Sequence, residues 1–451
     1  MPSDDALRHS AKAISDKDWN EIVVLRPGIT MDSYPGWHAL LSLIHNALNW
    51  DTHSLVMFSI VFMFLIFCLT PLFFLRYPES WLASLLCIAI MIPVWILRLM
   101  LGRPFILTMA VLMAILFLHR RFSRRKTPYV ALAIITLLIA LSTLIHGSWY
   151  LYVFLIAAFF IARRWREGFL ICISWVLGVV IGALFTGRPV IFLKQTLMHL
   201  FLAFGNHDLE RMLVSEFRPD FLNTNIILVI AIIIIWRFIR KEDNRGLIKD
   251  PAFILAILGL ALSFLTVRIW IDWGMPALLV WLSLEFDSIL KKKQNIFYFR
   301  RVIAVLLLAP ILYIAFTSDI RSRWTAWRPM DYLSAEDKEQ KEWLPGPGGI
   351  IYSNSMDVFY RTFYKNPKAP WRYILGFEPA LMPPEDLQIY RDIQRYPMTL
   401  KYFLPWIEKM RPEDRLILNG SVAHKPNLPE LEWNYTAIDT WVGRKPKNAE
   451  K

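Results

Sequence analysis

The most regular feature of the chain is an alternation of long apolar stretches with short polar, often basic, connections. About ten of the apolar stretches are long enough to span, or nearly span, a bilayer. They are Leu55–Leu75, Trp81–Leu97, Phe105–Leu118, Tyr129–Ile145, Trp149–Ala162, Gly168–Gly187, Asn225–Ile239, Ala252–Val267, Ile269–Leu284 and Val302–Thr317. The pattern predicts a polytopic α-helical membrane protein with about ten transmembrane helices.

The basic residues predict the orientation of these helices. They fall on alternate connections, which are therefore cytoplasmic, since Lys and Arg concentrate on that side of a membrane. The basic connections lie around residues 76, 120–126, 163–166, 237–249 and 291–301. By counting outward from them, residues 1–54 and the whole chain after Thr317 are predicted to lie on the external side.

Two amphipathic stretches are predicted to lie in the outer interface. In "DSYPGWHALLSLIHNALNW", Asp32 and Ser33 can cap a helix and Pro35 suits its first turn, while apolar residues recur at helical spacing. The second stretch is "VIFLKQTLMHLFLAF", within a long external loop. Both helices are expected to flank one outer cavity.

After about residue 318 the composition changes to that of a soluble domain. The segments "GGIIYS", "WRYILGF", "RLILNG" and "YTAIDTWVG" are typical of strands, and "PEDLQIYRDIQRY" and "TLKYFLPWIEKM" are typical of helices. We therefore expect a small external α/β or α+β domain. The predicted division is 1–54, an external loop with an interfacial helix; 55–317, the multi-span domain; and 318–451, the external soluble domain.

Composition and charge agree with this division. The chain has 451 residues, of which 56% are hydrophobic, and its mean hydropathy is +0.40. A net charge of +13 would favour a nucleic-acid partner in a soluble protein, but here the basic residues lie between apolar segments, so we expect no nucleic acid. The three cysteines lie inside apolar stretches, and no residue spacing matches a metal-ligand pattern.

Ionisable residues at the outer ends of the apolar stretches are the candidates for chemistry, because such groups usually line a cavity or bind a ligand. Each also has a structural interpretation: the first carboxylates could belong to a solvated tail, the arginines could reach lipid headgroups, and the histidines could bond to backbone. The candidates are Asp4, Asp5, His9, Arg98, Arg103, His146 and Arg268.

Three short motifs resemble those of the GT-C superfamily of membrane glycosyltransferases, which use polyprenyl-linked sugars as donors. "SDDALRH" is similar to the acidic motif that follows the first span of those enzymes. "MDSYPGWHALLSLI" is similar to their entry to the next helix, and "GRPFILTMAVL" to an Arg-Pro turn two spans later. The resemblance covers roughly residues 1–320 in layout. It implies that the first transmembrane helix of the family precedes Met1 and is missing from this chain.

The resemblance also implies roles for the candidates. Asp4 or Asp5 would be the base for the acceptor hydroxyl, and Arg98, Arg103 and Arg268 would hold the departing phosphate. His9 and His146 would orient the acceptor. No metal site built by the protein is expected, although a divalent cation could bind together with the carboxylates and the phosphate.

The implied function is transfer of a sugar from a polyprenyl-phosphate donor to a glycan, lipid or protein acceptor, on the outer face of a bacterial inner membrane. Besides these substrates, the expected partners are membrane lipids. Two alternatives remain open. One is a polysaccharide polymerase or ligase, and the other is a transport or non-catalytic assembly component. A transporter would ordinarily show paired broken helices or charges at mid-membrane, and the sequence shows few.

Overall fold

We describe the protein from a computed structural model. The structure describes residues 5–30, 32–122, 129–205, 218, 225–239, 245–292, 299–318, 333–397, 399–419, 424–437 and 440–446. This part of the chain is mostly helical, with one small sheet near the C-terminus.

The chain begins with three helices that precede the apolar bundle: α1 (Asp5–Ser15), α2 (Trp19–Ile22) and α3 (Pro35–Leu48). The bundle and its short connecting helices follow. They are α4 (Thr52–Leu69), α5 (Pro78–Met91), α6 (Pro93–Leu99), α7 (Phe105–Phe122), α8 (Tyr129–Ile145), α9 (Tyr152–Ile161), α10 (Trp165–Leu184), α11 (Pro189–Gly205), α12 (Asn225–Ile239), α13 (Arg245–Ile248), α14 (Pro251–Ser263), α15 (Val267–Ile269), α16 (Met275–Lys292) and α17 (Arg300–Thr317).

Each predicted apolar stretch forms helix, but the helices differ in length. Within the described ranges, four are long and apolar enough to cross a membrane: Thr52–Phe73, Trp165–Leu184, Val267–Lys291 and Arg300–Thr317. Helices α5 and α6 together would form a fifth span, although the chain bends by 119° between them. Their break lies at Pro93, which cannot donate the backbone hydrogen bond that a continuous helix needs. The remaining apolar helices are shorter, so a count of about ten spans stays a prediction.

Residues Asp5–Ser15 are helical, although the sequence pattern predicts a loop there. Helix α1 buries Leu7, Ala11 and Ile14, which recur at helical spacing. It packs against α3, α4 and a helix of the C-terminal domain. This stretch therefore belongs to the folded core of the molecule and is not a solvated tail.

The start of α3 also differs from the expectation. Asp32 does not cap this helix, because the cap position is Tyr34, which makes no side-chain capping bond. Asp32 instead accepts hydrogen bonds from the indole of Trp19 at 3.2 Å and from the backbone amide of Tyr34 at 3.0 Å, and it pairs with His38. The Asp32 carboxylate therefore bonds to the residues around it and does not cap α3.

The C-terminal domain holds a five-stranded sheet with the strand order β2-β1-β3-β5-β4. Strand β1 is parallel to β2 and β3, and β5 is antiparallel to β3 and β4. The strands are β1 (Ile350–Ser353), β2 (Arg372–Tyr373), β3 (Arg415–Asn419), β4 (Glu432–Ala437) and β5 (Thr440–Arg444). The helices are α18 (Lys338–Lys341), α19 (Met356–Lys365), α20 (Pro384–Arg395) and α21 (Leu404–Lys409). Strands form in all four segments that the sequence predicted.

The N-terminal segment joins this domain. Val23 forms a parallel bridge with Tyr373, and the amide of Val24 donates to the carbonyl of Tyr373 at 2.9 Å. Two residues later, the amide of Arg26 donates to the carbonyl of Leu381 at 2.8 Å. The two ends of the described chain therefore lie on the same side of the apolar bundle.

The turn between α6 and α7 approaches α1 and α4 through Gly102, whose φ is +66°. A Cβ at this position would lie 3.0 Å from Cγ1 of Ile60, 3.1 Å from the amide nitrogen of Ile60 and 3.2 Å from Cβ of Ala6. Only glycine combines this backbone conformation with this contact. The close approach fixes the next residue, Arg103, beside α1.

We expect Gly102→Ala to lower the free energy of unfolding by about 2–4 kcal/mol, since it adds overpacking to the cost of a left-handed conformation. Gly187→Ala is the matched control, because Gly187 has a φ of +73° and no atom within 4 Å of the added Cβ. The control should cost only about 1 kcal/mol. Thermal unfolding in detergent compares them, and equal losses would contradict the proposed contact.

Candidate functional site

The candidate site lies where α1, the start of α3, the turn after α8 and the C-terminal domain meet. The ring of Tyr34 is at its centre. Cζ of Arg8 lies 4.9 Å from the centroid of that ring, and the rings of His9 and His146 lie 4.7 Å and 5.0 Å from it. The site thus brings together side chains from separate elements around one half-buried aromatic ring.

Asp5 is the carboxylate of the site. Its Oδ1 accepts hydrogen bonds from Nε of Arg8 at 2.8 Å and from the hydroxyl of Tyr360 at 3.1 Å. Burial raises the pKa of Asp5, but the guanidinium groups of Arg8 and Arg103 more than offset this, so the pKa lies well below its usual range. Asp5 is therefore ionised and lies close to two arginines.

Arg8 is held in place by aromatic rings as well as by Asp5. Its guanidinium lies between Tyr34 and the ring of Phe377, with Cζ 4.3 Å from the centroid of the latter. Only 2% of the residue is exposed, yet Nη1 has no hydrogen-bond partner within the described part of the chain. Because a buried donor without a partner costs free energy, this atom is a candidate contact for a ligand oxygen.

A hydrogen-bonded chain of three side chains, Asp32, His38 and His9, lies beside the Asp5–Arg8 pair. Nδ1 of His38 faces Asp32, and Nε2 of His38 lies 2.7 Å from Nδ1 of His9. Burial raises the pKa of Asp32, but the neighbouring His38 and the hydrogen bonds to the carboxylate lower it to about 2. Nε2 of His9 is completely buried and has no hydrogen-bond partner among the residues that the structure describes.

Arg98 and Arg268 share one buried carboxylate. Nη2 of Arg98 lies 2.8 Å from Oδ1 of Asp272, and Nε of Arg268 lies 3.4 Å from Oδ2. Asp272 is in a π-helical turn, Trp270–Gly274, between α15 and α16. The side chain of Arg98 is 11% exposed and that of Arg268 is 40% exposed, so only Arg268 presents a substantial surface.

His146 follows the end of α8. Its Nδ1 lies 2.7 Å from the hydroxyl oxygen of Ser148, and its ring packs edge-on against Phe105 at 4.9 Å. The charges of Arg268 and Asp5 both act on it. His146 is therefore within electrostatic range of both Asp5 and Arg268.

The C-terminal domain contributes a further carboxylate, that of Glu378. Glu378 follows Phe377 and pairs with His199 of α11. Burial raises the pKa of Glu378, but His199, Arg268 and Arg8 more than offset this and lower it. Glu378 therefore adds a charged group of the C-terminal domain to the site.

The structure brings together Asp5, His9, Arg103 and His146, with Arg268 within electrostatic range of His146. Arg98 is instead bound to Asp272, and Asp4 lies outside the described residues. The candidates selected from the sequence leave out several residues of the site, although Arg8, Asp32 and His38 are among the polar residues predicted on the outer side. The residues left out are Arg8, Asp32, Tyr34, His38, His199, Tyr360 and Glu378.

Some of the missed residues carried a signal. Asp32 and His38 are six positions apart at a predicted helix start, where a carboxylate can turn back to a histidine of the first turn. Glu378 and Tyr360 carried none, because only the packing of the C-terminal domain onto α1 brings them near. Within the described chain, no group of three or more His, Cys, Asp or Glu residues could hold a metal ion.

No protein-family model and no curated protein matches the chain. Among solved structures, it is similar to the oligosaccharyltransferase of Archaeoglobus fulgidus, whose crystal structure is a complex with zinc and sulfate, at 12% identity and a TM-score of 0.47. The match covers 93% of this chain and 64% of that one, so the chain spans less than two thirds of the length of that enzyme. A likeness this distant carries no conclusion about activity.

Proposed function

We propose that the protein is a membrane glycosyltransferase that moves a sugar from a polyprenyl-phosphate donor to a hydroxyl of an acceptor, on the outer face of a bacterial inner membrane. The acceptor is a glycan, a lipid or a protein of the cell envelope. Asp5 acts on the acceptor, and arginines hold the phosphate that leaves. Asp4 stays a second candidate for the role of Asp5.

The observation that carries this proposal is the convergence of one half-buried, ionised carboxylate, Asp5, with Arg8 and Arg103 at the end of an apolar helical bundle. Transfer from a sugar phosphate needs a base near the attacking group and positive charge near the departing oxygen. A site at the membrane boundary can receive a lipid-linked headgroup while its prenyl chain stays in the bilayer. A soluble sugar nucleotide would need no such location.

The two arginines on Asp272 have different roles in this proposal. Arg98 is nearly buried and holds Asp272, so it positions the turn. Arg268 is more exposed and acts on His146 and Glu378, so it is suited to contact the phosphate. Its planar guanidinium can bond two phosphate oxygens and stays charged.

The direct test incubates the purified protein with a panel of radiolabelled polyprenyl-phosphate sugars and a crude envelope extract as acceptor. The expected result is transfer of label from at least one donor, with release of polyprenyl phosphate. Absence of transfer from every donor, by protein that is folded and monodisperse in detergent, would overturn the proposal.

With a donor in hand, we expect Arg268→Gln to raise its KM about 10- to 100-fold, since a hydrogen bond to a charged group contributes about 1.5–3 kcal/mol. Arg300→Gln is the matched control, because Arg300 also pairs with a carboxylate, Glu79, but lies in a basic connection that is predicted to be on the opposite face of the membrane. Its KM should equal that of the wild type. An unchanged KM in Arg268→Gln would remove this residue from the phosphate site.

A further inference from the structure

The Asp32–His38–His9 chain is not explained by packing alone. Two histidines in hydrogen-bond contact are costly to bury, and the last nitrogen of the chain, Nε2 of His9, has no partner among the residues that the structure describes. A buried polar atom of this kind is a candidate contact for a ligand.

The protonation pattern of the chain follows from its partners. The carboxylate of Asp32 only accepts, so Nδ1 of His38 carries a proton and donates to it. Burial lowers the pKa of His38, so the ring is neutral and its Nε2 is an acceptor. Nδ1 of His9 must then donate to that nitrogen at 2.7 Å. Nε2 of His9 is left with a lone pair and no proton.

The open end of the chain lies on the same face of α1 as the carboxylate of the site. Asp5 and His9 are four residues apart in one helix, which places their side chains one turn from each other. Both lie around Tyr34 and Arg8. An acceptor group that approaches Asp5 therefore also approaches Nε2 of His9.

We propose that His9 is the terminal proton acceptor of the transfer reaction, and that His38 and Asp32 are positioning residues that fix its tautomer. This proposal rests on the proposed glycosyl transfer. In the step, the acceptor oxygen forms a bond to the anomeric carbon and the bond from that carbon to the phosphate oxygen breaks. The electron pair of the broken bond stays on the phosphate. The proton of the acceptor hydroxyl, drawn toward Asp5, ends on Nε2 of His9.

Asp5 alone is a poor final site for this proton. Its Oδ1 already accepts two hydrogen bonds, and two guanidinium groups favour its ionised form. Nε2 of His9 has no hydrogen-bond partner among the described residues, so its lone pair is open to the proton. The groups around His9 are Arg8 beside it and Asp5 one turn away on the same helix, His38 and Tyr34 at the start of α3, and His146 after α8; of these, Arg8, His38 and His146 lower its pKa.

The test compares kcat and its pH dependence in His9→Gln, His38→Gln and the wild type. His45→Gln is the matched control, because His45 lies on α3 and bonds to the carbonyl of Trp50, away from the site. We expect His9→Gln to lower kcat about 100-fold and His38→Gln at least about 10-fold, with the KM of the donor unchanged. His45→Gln should behave as the wild type.

The pH profile separates a proton acceptor from a structural residue. Protonation of His9 removes its lone pair, so wild-type kcat should fall as the pH decreases through the pKa of His9. Burial and the charges of Arg8, His38 and His146 lower this pKa, so the fall should lie below about 6.5, the ordinary pKa of histidine. The residual activity of His9→Gln should lack this fall, and added imidazole should restore part of the activity of His9→Ala.

The outcomes are distinguishable. Wild-type transfer together with a normal kcat and pH profile in His9→Gln would overturn this inference and leave the proposed function intact. A loss of activity in His9→Ala that imidazole does not restore, with an unchanged pH profile in His9→Gln, would also overturn it. A wild-type protein that transfers no sugar would overturn the proposed function and this inference together.

Discussion

Replacing Asp5 with Asn should lower kcat/KM by at least about 10³-fold and leave insertion into the membrane intact. An amide lacks the charge with which the Asp5 carboxylate draws the proton away from the acceptor group, and such general-base assistance contributes about 10²–10⁴. The same change also removes the negative charge that orients Arg8, whose Nε lies 2.8 Å from the carboxylate. Both losses affect the same step, so we expect the upper part of that range. The measurement is initial rate against donor concentration in detergent.

The control for this prediction is Asp51→Asn. Asp51 is exposed and caps α4 by accepting a bond from the amide of Ser54, and because Asn caps a helix about as well as Asp, the change should cost well under about 1 kcal/mol of stability and no activity. Size-exclusion chromatography should show that Asp5→Asn is folded. Wild-type turnover by Asp5→Asn would remove the residue from the reaction.

A large effect on stability is also expected for Arg98→Gln. Asp272 is 2% exposed, and Arg98 is its nearer partner at 2.8 Å. Removal of one member of a buried ion pair costs about 3–5 kcal/mol, because a charge stays buried without compensation. Since Arg268 still lies 3.4 Å from the other oxygen, we expect a loss of about 3 kcal/mol. Thermal unfolding in detergent measures it.

The double variant Arg98→Gln with Asp272→Asn tests the cause. If the loss comes from the uncompensated carboxylate, the double variant should lose less stability than the sum of the single variants. Lys365→Gln is the control, because Lys365 pairs with the exposed Glu336 at 3.9 Å and should change stability by less than about 1 kcal/mol. Additive losses in the double variant would contradict the buried pair.

Much of the fold could be predicted because its signals are local. The apolar stretches form helices, and the segments "GGIIYS" and "RLILNG" form β1 and β3. The lengths of the spans were less predictable, since hydropathy does not show where Pro93 bends a helix by 119° or where a π-helical turn interrupts one. Helix α1 was missed although its apolar spacing was visible, because its charged first residues resemble a loop.

The candidate site was predictable in part, for a similar reason. Outer position and residue type selected Asp5, His9, Arg103 and His146, which the fold brings together. Position and residue type could not show that Arg98 is nearly buried and Arg268 more exposed. This difference depends on how each arginine pairs with Asp272, whose turn is oriented by tertiary packing. The same holds for the histidine chain, which depends on how α1 lies across α3.

The central claim is that α1 and the C-terminal domain close over one site on the outer face, opposite the basic connections. Single cysteines at the exposed positions Asn20, Gln388 and Arg166, in a background without Cys68, Cys87 and Cys172, test it most directly with a membrane-impermeant maleimide. We predict that Asn20→Cys and Gln388→Cys react in intact spheroplasts, and that Arg166→Cys reacts only after permeabilisation. Labelling of Asn20→Cys or Gln388→Cys only after permeabilisation would contradict the account.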